Sequence, residues 1–596
     1  MLKNLLVLVL FATAAHAEDP RIANVTRGLL PPVVIEGGPV WTLEERMRFH
    51  RVPGLSVAVV DGGRIVWAKG YGFADVRAGR PVTPRTMFLA GSISKPVAAM
   101  AAVDLVERNL VPFDADVNTL LRSWRLPANE LTAKTPVTLR QLFSHSAGTT
   151  VHGFPGYPRK FPRPAVRQVL DGEPPANTAP VRVDLAPNTQ YRYSGGGTTI
   201  AQQAMADVTG LDFATLMRRH VLAPLAMMDS TYEQPLPSAL HPRAATGYRT
   251  PDRPVPGGWH VYPEAAAAGL WTTPSDLARV VVDIHDALSG RRSRVLTIDG
   301  ARLMLTPRFG AGAPGRHIGV GFFLDDRRGA GYFTHGGVDE GFDAFLVATA
   351  NGAKAAVLMA NTNGAMSLMQ EIVRAVAREY EWPGYLNVAP AVQPASEELL
   401  ERAPGRYRLD AERVIAIRRA GPALETTTLS GPVPLRYLTD GTFARHDRDE
   451  RYRFTGASLE VIAAGKTAVA AKTEEPLTPA ELLADGGVDD ALAALRAAPD
   501  AMAIKRAAFD VLYAQRPLDA LRLFELNVEL HPGSADAWDN LAEGSLRAGE
   551  LERAAEAITK AQTLLHSDAS LSERMRGFLR TAIAIRRHEI EERRKR

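Results

Sequence analysis

Ser92 and Lys95 stand three residues apart in Phe88-Leu89-Ala90-Gly91-Ser92-Ile93-Ser94-Lys95-Pro96. A serine hydroxyl needs a neighbouring base to become a nucleophile, and a desolvated, neutral lysine amine can serve. Residues three apart on a helix share a face, so a helix opening near Ser92 brings the amine close to the hydroxyl. The same opening aims free backbone N–H groups and the positive end of the helix dipole at that hydroxyl. Val97 to Val106 reads as a buried, Ala-rich helix, with Pro96 suited to its first turn. Two fixed residues also fit a plain serine cap with a solvated lysine, so the surroundings decide. No other lysine has a serine three positions before it.

Two further stretches carry candidate chemistry. Tyr193, in Tyr191-Arg192-Tyr193-Ser194-Gly195-Gly196-Gly197, sits on a tight turn that enters a helix. A phenol there can face a cleft, and beside a lysine ammonium its phenolate becomes accessible as a general base. His335 lies in Phe333-Thr334-His335-Gly336-Gly337, whose glycines leave room for a substrate along the strand edge. His145, at the end of a short amphipathic helix beside serines, reads as a hydrogen-bonded structural residue rather than a catalytic base.

These residues need a scaffold, and the chain supplies its signals. Pro53 to Val60 and Arg64 to Gly72 flank Asp61-Gly62-Gly63 and read as a β-hairpin. The helix at 94–108 follows, which suggests an antiparallel sheet covered by helices. Thr273-Pro274-Ser275-Asp276 reads as a cap, a first-turn proline and an acidic first turn. Gly331 to Gly337, Gly341 to Ala348 and Ala355 to Ala360 read as three successive strands.

The 596 residues suggest roughly three or four domains. A net charge of +4 with dispersed basic residues gives no reason to expect nucleic acid as a partner. With no cysteine, disulfides and thiolate metal sites are excluded. Met1-Leu2-Lys3, an apolar run to Ala12 and Ala15-His16-Ala17 read as a signal peptide cleaved before Glu18. The chain is therefore expected to be exported, periplasmic or secreted, with no transmembrane segment after cleavage.

Past Glu381-Trp382-Pro383-Gly384 a Pro-rich linker leads to six short alternating segments, at 405–409, 414–417, 435–438, 442–444, 452–454 and 459–462. They suggest a small antiparallel barrel or sandwich. From about 478 the pattern is helical, and Ala520/Ala554 and Phe524/Ile558 repeat at a spacing of 34 (554 − 520, 558 − 524). Trp538, Leu541, Ala542 and Ala561 also fit a tetratricopeptide-like pattern of that period.

Ser92-Ile93-Ser94-Lys95, then Tyr193-Ser194-Gly195, then His335-Gly336-Gly337 resemble the S-x-x-K, Y-x-N and K-T-G/H-x-G motifs of serine β-lactamase-like hydrolases. That branch includes class C β-lactamases, penicillin-binding D,D-peptidases, D-aminopeptidases and esterases. The resemblance runs from roughly 30 to 380. It implies Ser92 as the acylated nucleophile, Lys95 as the amine sharing its proton, and Tyr193 as general base. It implies an oxyanion hole from the N–H groups of Ser92 and Val338, with Gly195 and Gly337 at substrate-binding positions. His335 would hydrogen-bond a substrate carboxylate or tune Tyr193. Gly195 replaces the family's asparagine and His335 its lysine, which weakens the contacts expected of an efficient β-lactamase.

The expected fold is α+β: an antiparallel sheet flanked by helices plus an all-helical part, then a small all-β domain and a helical repeat region. The expected boundaries are 1–17 for the signal peptide, 18–386 for the hydrolase, 387–476 for the β-domain and 477–596 for the helices. The expected function is an exported serine hydrolase cleaving an ester or amide through a Ser92 acyl-enzyme, without cofactor or metal. The alternatives are a D,D-peptidase or β-lactamase, or a catalytically silent protein binding a cell-wall ligand. The helical region could receive a protein partner, and its removal is expected to spare turnover of small substrates.

Overall fold

The structure, a computed structural model, describes residues 19–327, 329–463 and 466–594. The expected signal peptide lies outside the described residues.

Strands β1 (Gly54–Asp61) and β2 (Arg64–Asp75) form the expected hairpin. With β3 (Arg80–Pro81), β4 (Phe309–Gly310), β5 (Arg316–Ile318), β6 (Phe323–Arg327), β7 (Ala330–Asp339), β8 (Phe342–Thr349) and β9 (Ala355–Ala360) they make one sheet. Its order is β4-β5-β6-β7-β8-β9-β1-β2-β3, antiparallel throughout. The pairing of β1 with β9, Val57 opposite Leu358, joins the first strands to the last.

Helices cover both faces, which is why β1 is buried along nearly its whole length. Side chains alternate between the two sides of a strand. Leu55, Val57 and Val59 accordingly pack with Ile372 and Val376 of α4 (Met366–Glu379). Ala58 and Val60 belong to the opposite core, with Val280, Val281 and Ile284 of α3 (Pro274–Leu288). Thr273 caps α3, its hydroxyl accepting the Asp276 N–H at 3.2 Å. On that side stands the all-helical part, built around α1 (Ser94–Glu107) and α2 (Gly195–Thr209). α1 is buried from Ser94 to Leu105, so it has no polar face.

The β-domain is a closed barrel of eight strands between Gly405 and Lys472, closed by Tyr407 opposite Lys472. Two strands, Ala423–Thr428 and Lys466–Lys472, are absent from the sequence reading. The second buries only Ala470, so it carries almost no inward pattern to read. Helices then run from Pro479 to Arg594. The hairpins beginning at Ala501 and Pro517, and at α5 (Ala535–Ala548) and Leu551, start 34 residues apart (535 − 501, 551 − 517). The last helix is α6 (Glu573–Arg594).

Leu358 is fully buried at the centre of the sheet. Leu358→Ala is expected to cost about 2–5 kcal/mol, read as a lowered thermal unfolding midpoint by circular dichroism.

Candidate active site

The Phe88–Leu89 strand pairs with Trp271–Thr272 and delivers the chain into a 3₁₀ turn, Gly91–Ile93, just ahead of α1. Ser92 therefore sits on the turn and Lys95 in the first turn of the helix. Ser94, between them, donates to Gly91 O at 2.6 Å and accepts the Leu270 N–H at 3.0 Å, which fixes the turn. Lys95 Nζ lies 3.0 Å from Ser92 Oγ and donates to Ala267 O at 2.8 Å.

Tyr193 directly precedes the N-cap of α2, Ser194, whose hydroxyl accepts the Gly197 N–H at 2.9 Å and donates to Thr150 O at 2.6 Å. The phenol faces the Ser92 hydroxyl, and Lys95 Nζ lies 5.0 Å from the Tyr193 ring centre. Neighbouring rings hold the Tyr193 ring: His145 at 4.2 Å, His152 at 4.9 Å and Phe323, nearly parallel, at 6.2 Å. His145 is a hydrogen-bonded structural residue here. Its Nδ1 accepts the Ser194 N–H at 3.2 Å and its carbonyl accepts the Arg192 N–H at 2.8 Å.

Strand β7 runs along the same turn. A methyl group on Gly337 would lie 1.9 Å from Ala90 O and 3.2 Å from Ser92 N, so only glycine permits this approach. It brings the Val338 backbone beside that of Ser92, the pairing expected for an oxyanion hole. The structure thus gathers Ser92, Lys95, Tyr193, His335, Gly337 and Val338 at one place.

Gly195 has a different part. A side chain there would meet Phe154 at 3.0 Å and His152 O at 3.2 Å, and its N–H already donates to His152 O at 3.0 Å. The volume an asparagine would fill is occupied by the 152–154 loop.

Charge states follow from burial. Desolvation pulls the Lys95 amine down to about 7, with Asp339 acting in the opposite direction. Desolvation pushes the Tyr193 phenol well above its usual range, against the Ser92 hydrogen bond. The pocket disfavours both ions, so burial favours the protonated phenol and the uncharged amine. His335, also desolvated, is pulled down to about 3. Its Nδ1 is 2.7 Å from Gly336 O, which can only accept, so Nδ1 carries the proton. Nε2 is then a bare acceptor with no hydrogen-bond partner. In this tautomer Nε2 offers an acceptor rather than a donor to the pocket.

Sequence reasoning missed two buried acids. Burial raises Asp339 well above the carboxylate range and Glu264 to about 8. The Asp339 oxygens make no well-formed hydrogen bond, although the Gly91 amide and Tyr262 hydroxyl face them. Phe323 and His152 were also missed. Only Asp339, one residue beyond Val338, had a positional signal. Among the described residues no cluster of His, Asp or Glu is arranged to hold a metal ion.

A family model described as Beta-lactamase matches residues 42–380. The chain is 26% identical over 326 residues to Esterase EstB of Burkholderia gladioli, spanning 49% of this chain and 81% of that one. It is 30% identical over 183 residues to a D-aminopeptidase of Gluconobacter oxydans, covering 29% and 31% of the two chains. A Beta-lactamase of Pseudomonas fluorescens is 29% identical over 251 residues, covering 41% and 64%.

A base that works only when unprotonated becomes available as pH rises through its pKa. The kcat/KM for an ester is expected to rise through an apparent pKa of about 7 and then level off, since Lys95 is held near that value. A rate already level well below pH 6 would contradict this.

Proposed function

The chain belongs to the Beta-lactamase family, whose model covers more than half of it, and on that premise we propose an exported serine hydrolase that cleaves esters through an acyl-enzyme at Ser92. The observation that carries this reading is the desolvated Lys95 amine 3.0 Å from the Ser92 hydroxyl. As Oγ attacks the substrate carbonyl carbon, its proton passes to neutral Lys95 Nζ. The N–H groups of Ser92 and Val338 meet the charge that develops on the carbonyl oxygen. The Tyr193 hydroxyl protonates the leaving group, and the tyrosinate so formed takes back a proton from the Lys95 ammonium. Water then attacks the acyl-enzyme and releases the acid by the same proton path.

An uncharged His335 acceptor and a loop-filled space at Gly195 favour a neutral ester or amide over a substrate anchored by its carboxylate. A D,D-peptidase or β-lactamase is the second reading, its β-lactamase arm supported by the Beta-lactamase relative. The convergence of Ser92, Lys95 and Tyr193 speaks against a silent binding protein.

Ser92→Ala is expected to lower turnover of p-nitrophenyl acetate by about 10³-fold or more, and Tyr193→Phe by roughly 10²–10⁴-fold. Undiminished turnover in Ser92→Ala would remove that residue from the mechanism. Rapid acylation and release of a labelled penicillin, faster than ester turnover, would establish the second reading instead. Export predicts a mature protein starting at Glu18 by mass spectrometry, and an uncleaved Met1 in the fully secreted pool would refute it.

A further inference from the structure

The helical array is expected from sequence to be a docking or substrate-positioning appendage, dispensable for turnover of small substrates. The structure shows its cleft already holding a segment of the hydrolase domain. The strands Tyr248–Thr250 and Arg253–Pro254 form a ribbon that projects into the space between α5 and α6. Arg253, 1% exposed, donates through Nε to Glu589 Oε1 at 2.7 Å and through Nη1 to Glu543 Oε1 at 3.1 Å. Arg249 joins the same Glu589 to Glu340, with Nε 2.5 Å from Glu340 Oε1. Arg586 pairs with Asp539 and lies 3.2 Å from Glu543. Arg547, 2.9 Å from Glu543, brings the network to four cations and four anions.

The network reaches the catalytic strand. Glu340 is two residues beyond Val338, and its N–H donates to the Tyr262 hydroxyl at 2.9 Å. The ribbon itself lies on the adjoining turn: Tyr248 N–H is 3.3 Å from Gly341 O and 3.0 Å from Asn361 O. A methyl on Gly341 would touch Tyr248 N at 2.8 Å and the Val255 side chain at 2.6 Å. Displacement of Arg249 or Arg253 therefore has a short, packed route to the backbone of Val338.

We propose that the acidic cleft of the helical array takes this arginine ribbon in cis, and that Glu589 and Glu543 act as positioning residues for the β7–β8 turn at Glu340–Gly341, two residues beyond the Val338 oxyanion donor at the end of β7. The occupant of the cleft is this chain's own hydrolase domain. The inference rests on the acyl-transfer reading of Ser92.

The test uses full-length protein. Glu589→Gln and Glu543→Gln are compared with Glu552→Gln, which removes an exposed pair with Arg594 on the array. Active sites are counted by fluorophosphonate labelling, and p-nitrophenyl acetate kinetics are measured below the unfolding transition. Loss of oxyanion alignment predicts kcat per active site roughly tenfold to hundredfold lower with KM within about twofold. It also predicts faster hydrogen–deuterium exchange in peptides spanning 338–342, with wild-type behaviour in Glu552→Gln. Wild-type kcat per active site in both cleft variants, whatever their melting temperature, overturns the proposal and leaves a merely adhesive interface. Ser92→Ala, run alongside, isolates the underlying reading: turnover retained there defeats the acyl-transfer premise rather than the cleft's role.

Discussion

An amine without water is the constraint from which the catalytic domain follows. Lys95 is 3% exposed, and the cost of charging it there lowers its pKa to about 7. Reaching that environment requires α1 to be buried on all sides, a carbonyl at Ala267 to accept from the amine, and Ser92 to lie on the turn just ahead. The neighbours obey the same rule. His145, His335, Tyr193 and Asp339 are each shifted by burial toward their uncharged forms. The pocket thus disfavours charge on every one of these groups.

Much of this architecture is legible in the sequence because it rests on local rules. The hairpin turn at Asp61-Gly62-Gly63, the Thr273 cap and the Ala-rich helix after Lys95 are written in residues close in the chain. Resemblance to three family motifs singled out Ser92, Lys95, Tyr193 and His335, which the fold brings close together. What spacing cannot carry is dielectric environment. The Tyr193 phenolate expected beside an ammonium assumes solvent that the folded pocket lacks, and the His335 tautomer depends on a carbonyl whose position only the strand fixes. Gly195 shows the same limit: its meaning lies in Phe154 and His152, some forty residues earlier. The barrel strand Lys466–Lys472 escaped notice because its side chains face mostly solvent, leaving backbone pairing as its main bond to the fold.

The interface between the helices and the hydrolase domain was illegible for a related reason. Its arginines and acids are scattered over 340 positions, and ordinary surface charges would look alike. Burial again changes their meaning. A buried pair contributes little net stability, because desolvation offsets attraction, yet removing one partner costs about 3–5 kcal/mol. Such a network is a poor adhesive and a strict specifier of geometry. Apolar residues could join the two domains as firmly, but they would tolerate sliding, whereas Arg253 between Glu543 and Glu589 tolerates very little.

Strand β7 is where the two electrostatic regimes meet, and its period of two keeps them apart. His335, Gly337 and Asp339 point to the interior side, where burial favours uncharged groups, while Val338 is 62% exposed. The next residue, Glu340, turns away to Arg249 and has its carboxyl lowered by that guanidinium despite burial. Shifting the register by one residue would exchange these environments, setting an ionised glutamate against Lys95 and stranding Arg249. The close approach of Gly337 to Ala90 excludes that slip from the catalytic side, and the Arg249–Glu340 pair excludes it from the other. The Lys95 pocket and the ion network are therefore two constraints on one strand position, set from opposite ends of β7.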